Sequence, residues 1–358
     1  MIEHQTCKSF AKKLRAKAKS LNPVSAQIEL TYKCNMSCVH CYCKGSEKGT
    51  ELDTSDWKDI LNQIYKEGCI WLTITGGEPL LRRDFLEIYS YAKHKGFLIS
   101  IFSNGFMIEK GLIEHFVKFP PYSIEITLHS LDEKTYEDIT QAPGTFNKVM
   151  ANIEAIADAE LPLVLKTVGL KQNKEEIHNI KIFAENILGK KKFKFDSLVI
   201  PRLDGDRTPC LYRLSPEEIL EIEELDPDML TQREKEFKEH TSHSRELEYK
   251  YHCNTWFNQF YINPYGRLKF CYMTDKYSSN LREVSFRDGF YNKFSAILDE
   301  KYTSSSKCIY CNLREFCYHC PAKAYLEVGD EEKPVLYFCE LAHAKRERID
   351  KIKKMPRV

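Results

Sequence analysis

Three cysteines, Cys34, Cys38 and Cys41, stand at C-x3-C-x2-C spacing in the segment TYKCNMSCVHC. Thiolates this close in sequence can converge on one inorganic centre, and their number decides what that centre can do. A 4Fe-4S cube held by four cysteines passes electrons, whereas one held by three leaves an iron open to an exchangeable ligand. A zinc ion bound by the same thiolates with His40 as a further ligand is the alternative chemistry. A second array follows in Cys253, Cys271, Cys308, Cys311, Cys317, Cys320 and Cys339, with Gly266 opening a G-x4-C that ends at Cys271. Its densest part, CIYCNLREFCYHC, reads C-x2-C-x5-C-x2-C. The central gap is shorter than the ~15–20 residues that separate the pairs of a zinc ribbon, so close-set thiolates there suit an iron-sulfur cluster.

The elements that must position these groups alternate. Six β-rich runs, at 24–31, 70–75, 97–102, 123–128, 161–168 and 193–200, are separated by amphipathic helical stretches. That pattern gives a parallel sheet wrapped by helices, an α/β partial (β/α)6 barrel whose strand-end loops share one site. The first cysteine motif follows the first run, GGEP (76–79) the second, Ser103-Asn104 the third and His129-Ser130 the fourth. A helix is expected after residue 54, capped by Thr54 or Ser55 and closed by Gly68, and another from about Asn147 to Ala159. The reading divides the chain into an N-terminal extension (1–23), the barrel (24–200), a charged helical bridge (201–250), a small cysteine-rich domain (251–345) and a basic tail (346–358).

The totals restrict the setting. The 53 basic and 52 acidic residues nearly cancel, which removes any global electrostatic reason to expect nucleic acid or a membrane as partner. The first thirty residues lack a secretory h-region, and no run approaches the ~18 apolar residues of a membrane span. Ten of the fourteen cysteines then read as metal thiolates in a reducing cytoplasm rather than as crosslinks. Cys7, Cys43, Cys69 and Cys210 fall outside the clusters and read as small buried hydrophobes or incidental thiols.

Cys34, Cys38 and Cys41 after the first strand, followed by Gly76-Gly77-Glu78-Pro79 after the second, resemble the radical S-adenosylmethionine (SAM) superfamily. The resemblance implies one 4Fe-4S cluster whose open iron takes the amino and carboxylate groups of SAM. One electron from an external donor such as flavodoxin or ferredoxin then yields a 5'-deoxyadenosyl radical. It implies that the glycines let the backbone approach the ligand, that backbone carbonyls of GGEP meet the methionine ammonium and that Glu78 adds a nearby acceptor. It further implies that His40 packs near adenine and that Ser103 and Asn104 reach ribose and carboxylate. His129, Lys166 and Asn173 are further carry-overs, with Lys166 read alternatively as a cation facing the substrate and all three alternatively as ordinary polar residues of the barrel.

The second array resembles the SPASM extension of peptide- and protein-modifying members, except that its fourth gap is x2 rather than x3. By that resemblance Cys308, Cys311, Cys317 and Cys339 hold one auxiliary cluster, and Cys253, Cys271 and Cys320 a second. The second cluster's remaining ligand is Cys210 or another group, or the site is open; a structural role for the metals stays an alternative. Tyr272 stands where sulfatase maturases carry an aspartate base, and Asp275 is the nearby substitute. The implied substrate is a peptide or protein, to be crosslinked, oxidised or epimerised. A small molecule such as a sugar, tetrapyrrole or cofactor precursor is the rival within the same class. An electron-transfer module or a zinc-binding interaction protein is the rival from outside it.

Overall fold

The structure is a computed structural model that describes residues 21–46, 49–226, 249–251, 258–297, 300–303, 305–317 and 319–354. Cys7, Cys253, nearly all of the N-terminal extension and residues 227–248 of the charged bridge lie outside the described residues.

Six parallel strands form where the β-rich runs were expected: β1 (Ser25–Thr31), β2 (Trp71–Gly76), β3 (Leu98–Ser103), β4 (Ser123–Thr127), β5 (Leu163–Val168) and β6 (Phe193–Asp196). They lie side by side in chain order. The helices between them include α1 (Thr54–Lys66), α2 (Phe85–His94), α3 (Lys110–Lys118), α4 (Glu133–Thr140), α5 (Phe146–Asp158) and α6 (Ile177–Leu188). The cap of α1 differs from expectation. Asp53, not Thr54 or Ser55, accepts from Asp56 N while the Asp56 carboxylate accepts from Asp53 N, a reciprocal arrangement that satisfies two orphan donors where one hydroxyl would satisfy one. β6 ends at Asp196, and Val199 and Ile200 leave the ladder to be buried elsewhere.

Strand alternation sorts the side chains into two layers. On one face of β1, Ala26, Ile28 and Leu30 are fully buried and join Trp57, Ile60, Leu61 and Ile64 of α1 in the main core. The other face carries Gln27, Glu29 and Thr31 and looks into the barrel. Polar contacts cross that interior: Ser123 Oγ donates to Ser100 Oγ at 2.9 Å, and Lys194 Nζ meets Glu125 Oε1 at 2.6 Å.

The sheet does not stop at β1. β7 (Gln259–Ile262) pairs with it in parallel on the side away from β2, and β8 (Arg267–Lys269) and β9 (Ser279–Asn280) continue antiparallel. Phe260 of β7 packs with Phe286, Phe290 and Phe294 of α8 (Phe286–Phe294) in the same core as β1. The cysteine-rich region therefore shares the barrel's sheet and its apolar interior. Of the bridge, a short 3-10 turn (Thr208–Tyr212) and α7 (Pro216–Glu224) are described. The basic C-terminal stretch is helical, within α10 (Leu336–Lys354), where Arg348 pairs with Glu224 of α7 and Arg346 with Asp350 at 2.9 Å.

A buried ion pair fastens this second region to the barrel. Arg213 donates to Glu327 of α9 (Pro321–Val328) through both terminal nitrogens, at 2.8 and 2.7 Å, and through Nε to Val199 O at 2.7 Å. Its guanidinium lies 4.6 Å from the Tyr337 ring centre. Both side chains are nearly inaccessible, so removal of one strands the other's charge. Glu327→Ala should cost about 3–5 kcal/mol, read as the loss of unfolding free energy in urea.

Candidate active site

The cysteine motif occupies the loop that leaves β1, and the neighbouring strand ends hold that loop by main-chain bonds. Ser37 N and Val39 N donate to Thr140 O and Ile139 O at the end of α4, at 2.9 and 3.0 Å. Gly77 N donates to Thr31 O at 2.7 Å and Glu78 N to Lys33 O at 2.9 Å. A Cβ on Gly77 would meet Lys33 O at 2.3 Å, and one on Gly76 would meet Thr31 O at 2.2 Å, with φ at Gly76 of +134°. These glycines thus admit the backbone of the cysteine loop itself, a closer constraint than the ligand approach expected of them.

Glu78 turns inward from that contact. It is fully buried and accepts from Ser103 Oγ at 3.0 and 3.1 Å, from Asn104 N at 2.7 Å and from Leu80 N at 3.1 Å. The carboxylate therefore fixes the turn after β3. It leaves Asn104 free to donate from Nδ2 to Asn35 Oδ1 at 2.8 Å, with Cys34 Sγ 3.7 Å away. Burial pushes the Glu78 carboxyl up to about 7, against hydrogen bonds that lower it.

Each of the three thiols is under the charge of its neighbours. Burial first, then Cys41 and Cys34, raise Cys38; burial also raises Cys34, to about 11; and a hydrogen bond with Cys43 lowers Cys41 to about 6. Among the described residues no three His, Cys, Asp or Glu side chains surround a single metal ion. Ligands that each hold a different iron of a cube stand farther apart than ligands of one ion. Beside the thiols, Asn35 Nδ2, His40 Nδ1 and His129 Nδ1 are buried without a hydrogen-bond partner. Unpaired buried polar atoms of this kind imply an occupant, so the residues present fit a bound polar cofactor. The His40 and His129 rings meet edge to face with centres 4.7 Å apart, and burial lowers both imidazoles, His40 to about 4, leaving them neutral near pH 7.

The other expected residues separate into two groups. Lys166 faces the barrel interior, 3.5 Å from Glu125 Oε2 and 3.4 Å from the centre of the Phe102 ring. Asn173 is consumed by structure, donating to His129 O and Val168 O at 2.8 and 3.0 Å and accepting from Leu170 N at 2.8 Å. Tyr272 packs edge-on against Tyr42 at 5.2 Å and against Tyr261 at 5.6 Å. Asp275 is largely exposed and paired with Lys269 at 3.1 Å. Among the later cysteines, Cys308, Cys311, Cys317 and Cys339 act on one another electrostatically, whereas Cys271 and Cys320 both act on Tyr272. The charges that weigh most on Cys210 come from Arg213, Glu327 and Arg207. Glu29, Tyr32, Asn35 and Tyr42 were not singled out from sequence, although the alternation of β1 already places Glu29 on the interior face.

A cavity of about 1080 Å³ opens where the barrel meets the cysteine-rich region. Tyr32 and Tyr272 form part of its wall, with Lys269, Lys276, Asp330 and Glu331 among its charged residues.

The family model described as Radical SAM superfamily matches residues 28–184, from β1 to α6, the span that contains the cysteine loop, GGEP and Ser103-Asn104. The chain carries a radical SAM domain. The chain is an enzyme, and its curated relatives include the AdoMet-dependent heme synthase of Methanosarcina barkeri, 25% identical over 86% of this chain and 94% of that protein. The PqqA peptide cyclase of Granulibacter bethesdensis is 27% identical, but over only 43% of this chain and 42% of that protein. In fold, the radical SAM chain resembles Streptococcus suis SuiB bound to S-adenosylmethionine, with a TM-score of 0.69 and 19% identity over 94% of this chain and 84% of that one. SuiB is also known bound to its precursor peptide SuiA. Among the described residues no helix is long and apolar enough to cross a membrane.

Two outcomes follow for the radical SAM site. Gly77→Ala forces the GGEP turn off the cysteine loop at a cost of about 1–3 kcal/mol or more, and should lower the iron retained after anaerobic reconstitution, measured by metal analysis. Glu78 binds its proton more tightly folded than at its ordinary value of 4.5. Its contribution to stability is therefore complete below that value and is lost as pH rises toward 7. Glu78→Gln should flatten this loss, read as the difference in Tm from wild type at the two ends of that range.

Proposed function

We propose that this radical SAM enzyme modifies a peptide or protein, using Cys34, Cys38 and Cys41 to hold the cluster. When bound, the reduced cluster supplies the electron that cleaves S-adenosylmethionine and so gives the 5'-deoxyadenosyl radical. The chain's own residues then have distinct duties: GGEP and Asn104 shape the loop around the cosubstrate, and His40 and His129 offer neutral rings and unpaired nitrogens beside it. Lys166 presents a cation to the barrel interior. In the C-terminal region Cys308, Cys311, Cys317 and Cys339 would hold one auxiliary cluster, with Cys271, Cys320 and Cys253 serving another, as in SPASM-type enzymes. An external one-electron donor of the flavodoxin or ferredoxin type is required.

The observation that carries the peptide reading is the cavity wall. Sites for small molecules are mostly apolar with a few polar groups. Here lysines and carboxylates, several of them ion-paired with one another, line an opening of about 1080 Å³, a polar surface suited to a peptide backbone. A tetrapyrrole or other small molecule is the second reading, favoured by the alignment with the heme synthase over 94% of that protein's length.

The test is anaerobic incubation of the reconstituted protein with dithionite and S-adenosylmethionine. 5'-Deoxyadenosine should form with wild type and fall to background in the Cys34→Ala/Cys38→Ala/Cys41→Ala variant; its persistence there would refute the cluster assignment. Mass spectrometry with peptides encoded beside the gene, against a tetrapyrrole panel, decides the substrate class. A mass change in a tetrapyrrole alone would defeat the peptide reading.

A further inference from the structure

Glu29 lies on the interior face of β1, 1% exposed. Its Oε2 accepts from Tyr32 OH at 2.8 Å and its Oε1 from Tyr42 OH at 2.9 Å. Tyr32 stands just before Cys34 and Tyr42 just after Cys41, so one carboxylate is bound by both ends of the loop that presents the three thiols. That loop has no ladder of its own to set its span; main-chain contacts to α4 and GGEP, the Asn104–Asn35 bond and a bond from Leu203 N to Tyr42 O hold it at single points, whereas the Glu29 side chain meets both of its ends.

A carboxylate taken out of water is costly unless its oxygens are bonded. Burial raises the Glu29 carboxyl, and the hydrogen bonds that oppose this shift come from Tyr32 and Tyr42, the loop's two ends. The positive charge of Lys269, on β8, also acts on Glu29. Lys269 in turn donates to Tyr272 O at 3.1 Å, and the Tyr272 ring packs against Tyr42. The tie therefore continues from the cysteine loop into the segment that carries Cys271.

We propose that Glu29 is a positioning residue for the S-adenosylmethionine-cleaving site: by binding the hydroxyls of Tyr32 and Tyr42 it closes the cysteine loop and sets the spacing of Cys34, Cys38 and Cys41. The inference rests on reading that loop as the cluster site, and its effect on chemistry is indirect, through the loop.

The test uses the full chain in two states. Glu29→Leu removes both acceptors while filling the same space. In the metal-free protein, amide hydrogen exchange of residues 33–42 should quicken by about tenfold or more, the loss of an order of magnitude in local closure, with the sheet strands unchanged. In the reconstituted protein, the electron paramagnetic resonance signal of the reduced cluster should lose its shift on addition of S-adenosylmethionine. Glu29→Gln accepts one hydroxyl through its oxygen and donates to the other through its amide, and should restore both readouts. If Glu29→Leu does not fold, Tyr42→Phe, which cuts one tie, should give the same changes at smaller amplitude. Unchanged exchange and an unchanged spectral shift in the folded variant would overturn the proposal. Failure of wild type to bind iron would instead defeat the cluster reading, and the exchange measurement would still decide whether Glu29 closes the loop.

Discussion

The contact on which the site depends is the docking of one backbone on another. Gly76 and Gly77, at the end of β2, press against Thr31, Tyr32 and Lys33 so closely that no Cβ fits between them. Two main-chain bonds, from Gly77 N and Glu78 N, set the register. From that point Glu78 can reach only inward, where it binds Ser103 and the Asn104 amide. Asn104 is then aimed at Asn35 and Cys34. Three successive strand ends are thereby locked to the cysteine loop in a chain of contacts, each of which presupposes the one before.

The barrel has an apolar shell and a polar bore. Leucine, isoleucine and aromatic side chains seal the sheet against its helices, which leaves the interior face for groups that can meet a substrate. Glu29, Glu125, Lys166 and Lys194 populate that face, and they are bonded to one another or to tyrosines. Burial lowers the ammonium of Lys166, with Glu125 opposing the shift. A charge held in this way is costly to keep and stays responsive to whatever enters beside it.

The sequence made the six parallel strands and the motifs at their ends legible, because alternating periodicity and cysteine spacing are local properties. The radical SAM domain was readable for the same reason, from two motifs on neighbouring loops. What escaped was long-range. Nothing local says that β7 will lie against β1, or that Asp53 will win the helix cap over Thr54. The glycines of GGEP were legible as close-approach residues, but the partner they approach is set by strand order. Nothing local marks Tyr32 and Tyr42 as partners of one carboxylate, and Asn173, a carry-over of the resemblance with an ordinary polar role as its alternative, spends its amide on backbone carbonyls. The second cysteine array was visible as a pattern, and among its described members Cys308, Cys311, Cys317 and Cys339 act on one another electrostatically.

The pairing of β7 with β1 bears on how this molecule could be divided. With β2 on one side and β7 on the other, β1 has no open flank. Cutting the chain ahead of β7 would bare a row of main-chain donors and acceptors on the strand that launches the cysteine loop, and would uncover the patch that Phe260 shields. Exposed flanks of that kind recruit strands from other molecules. Excised barrels of this protein would therefore be prone to self-associate rather than persist as isolated catalytic fragments.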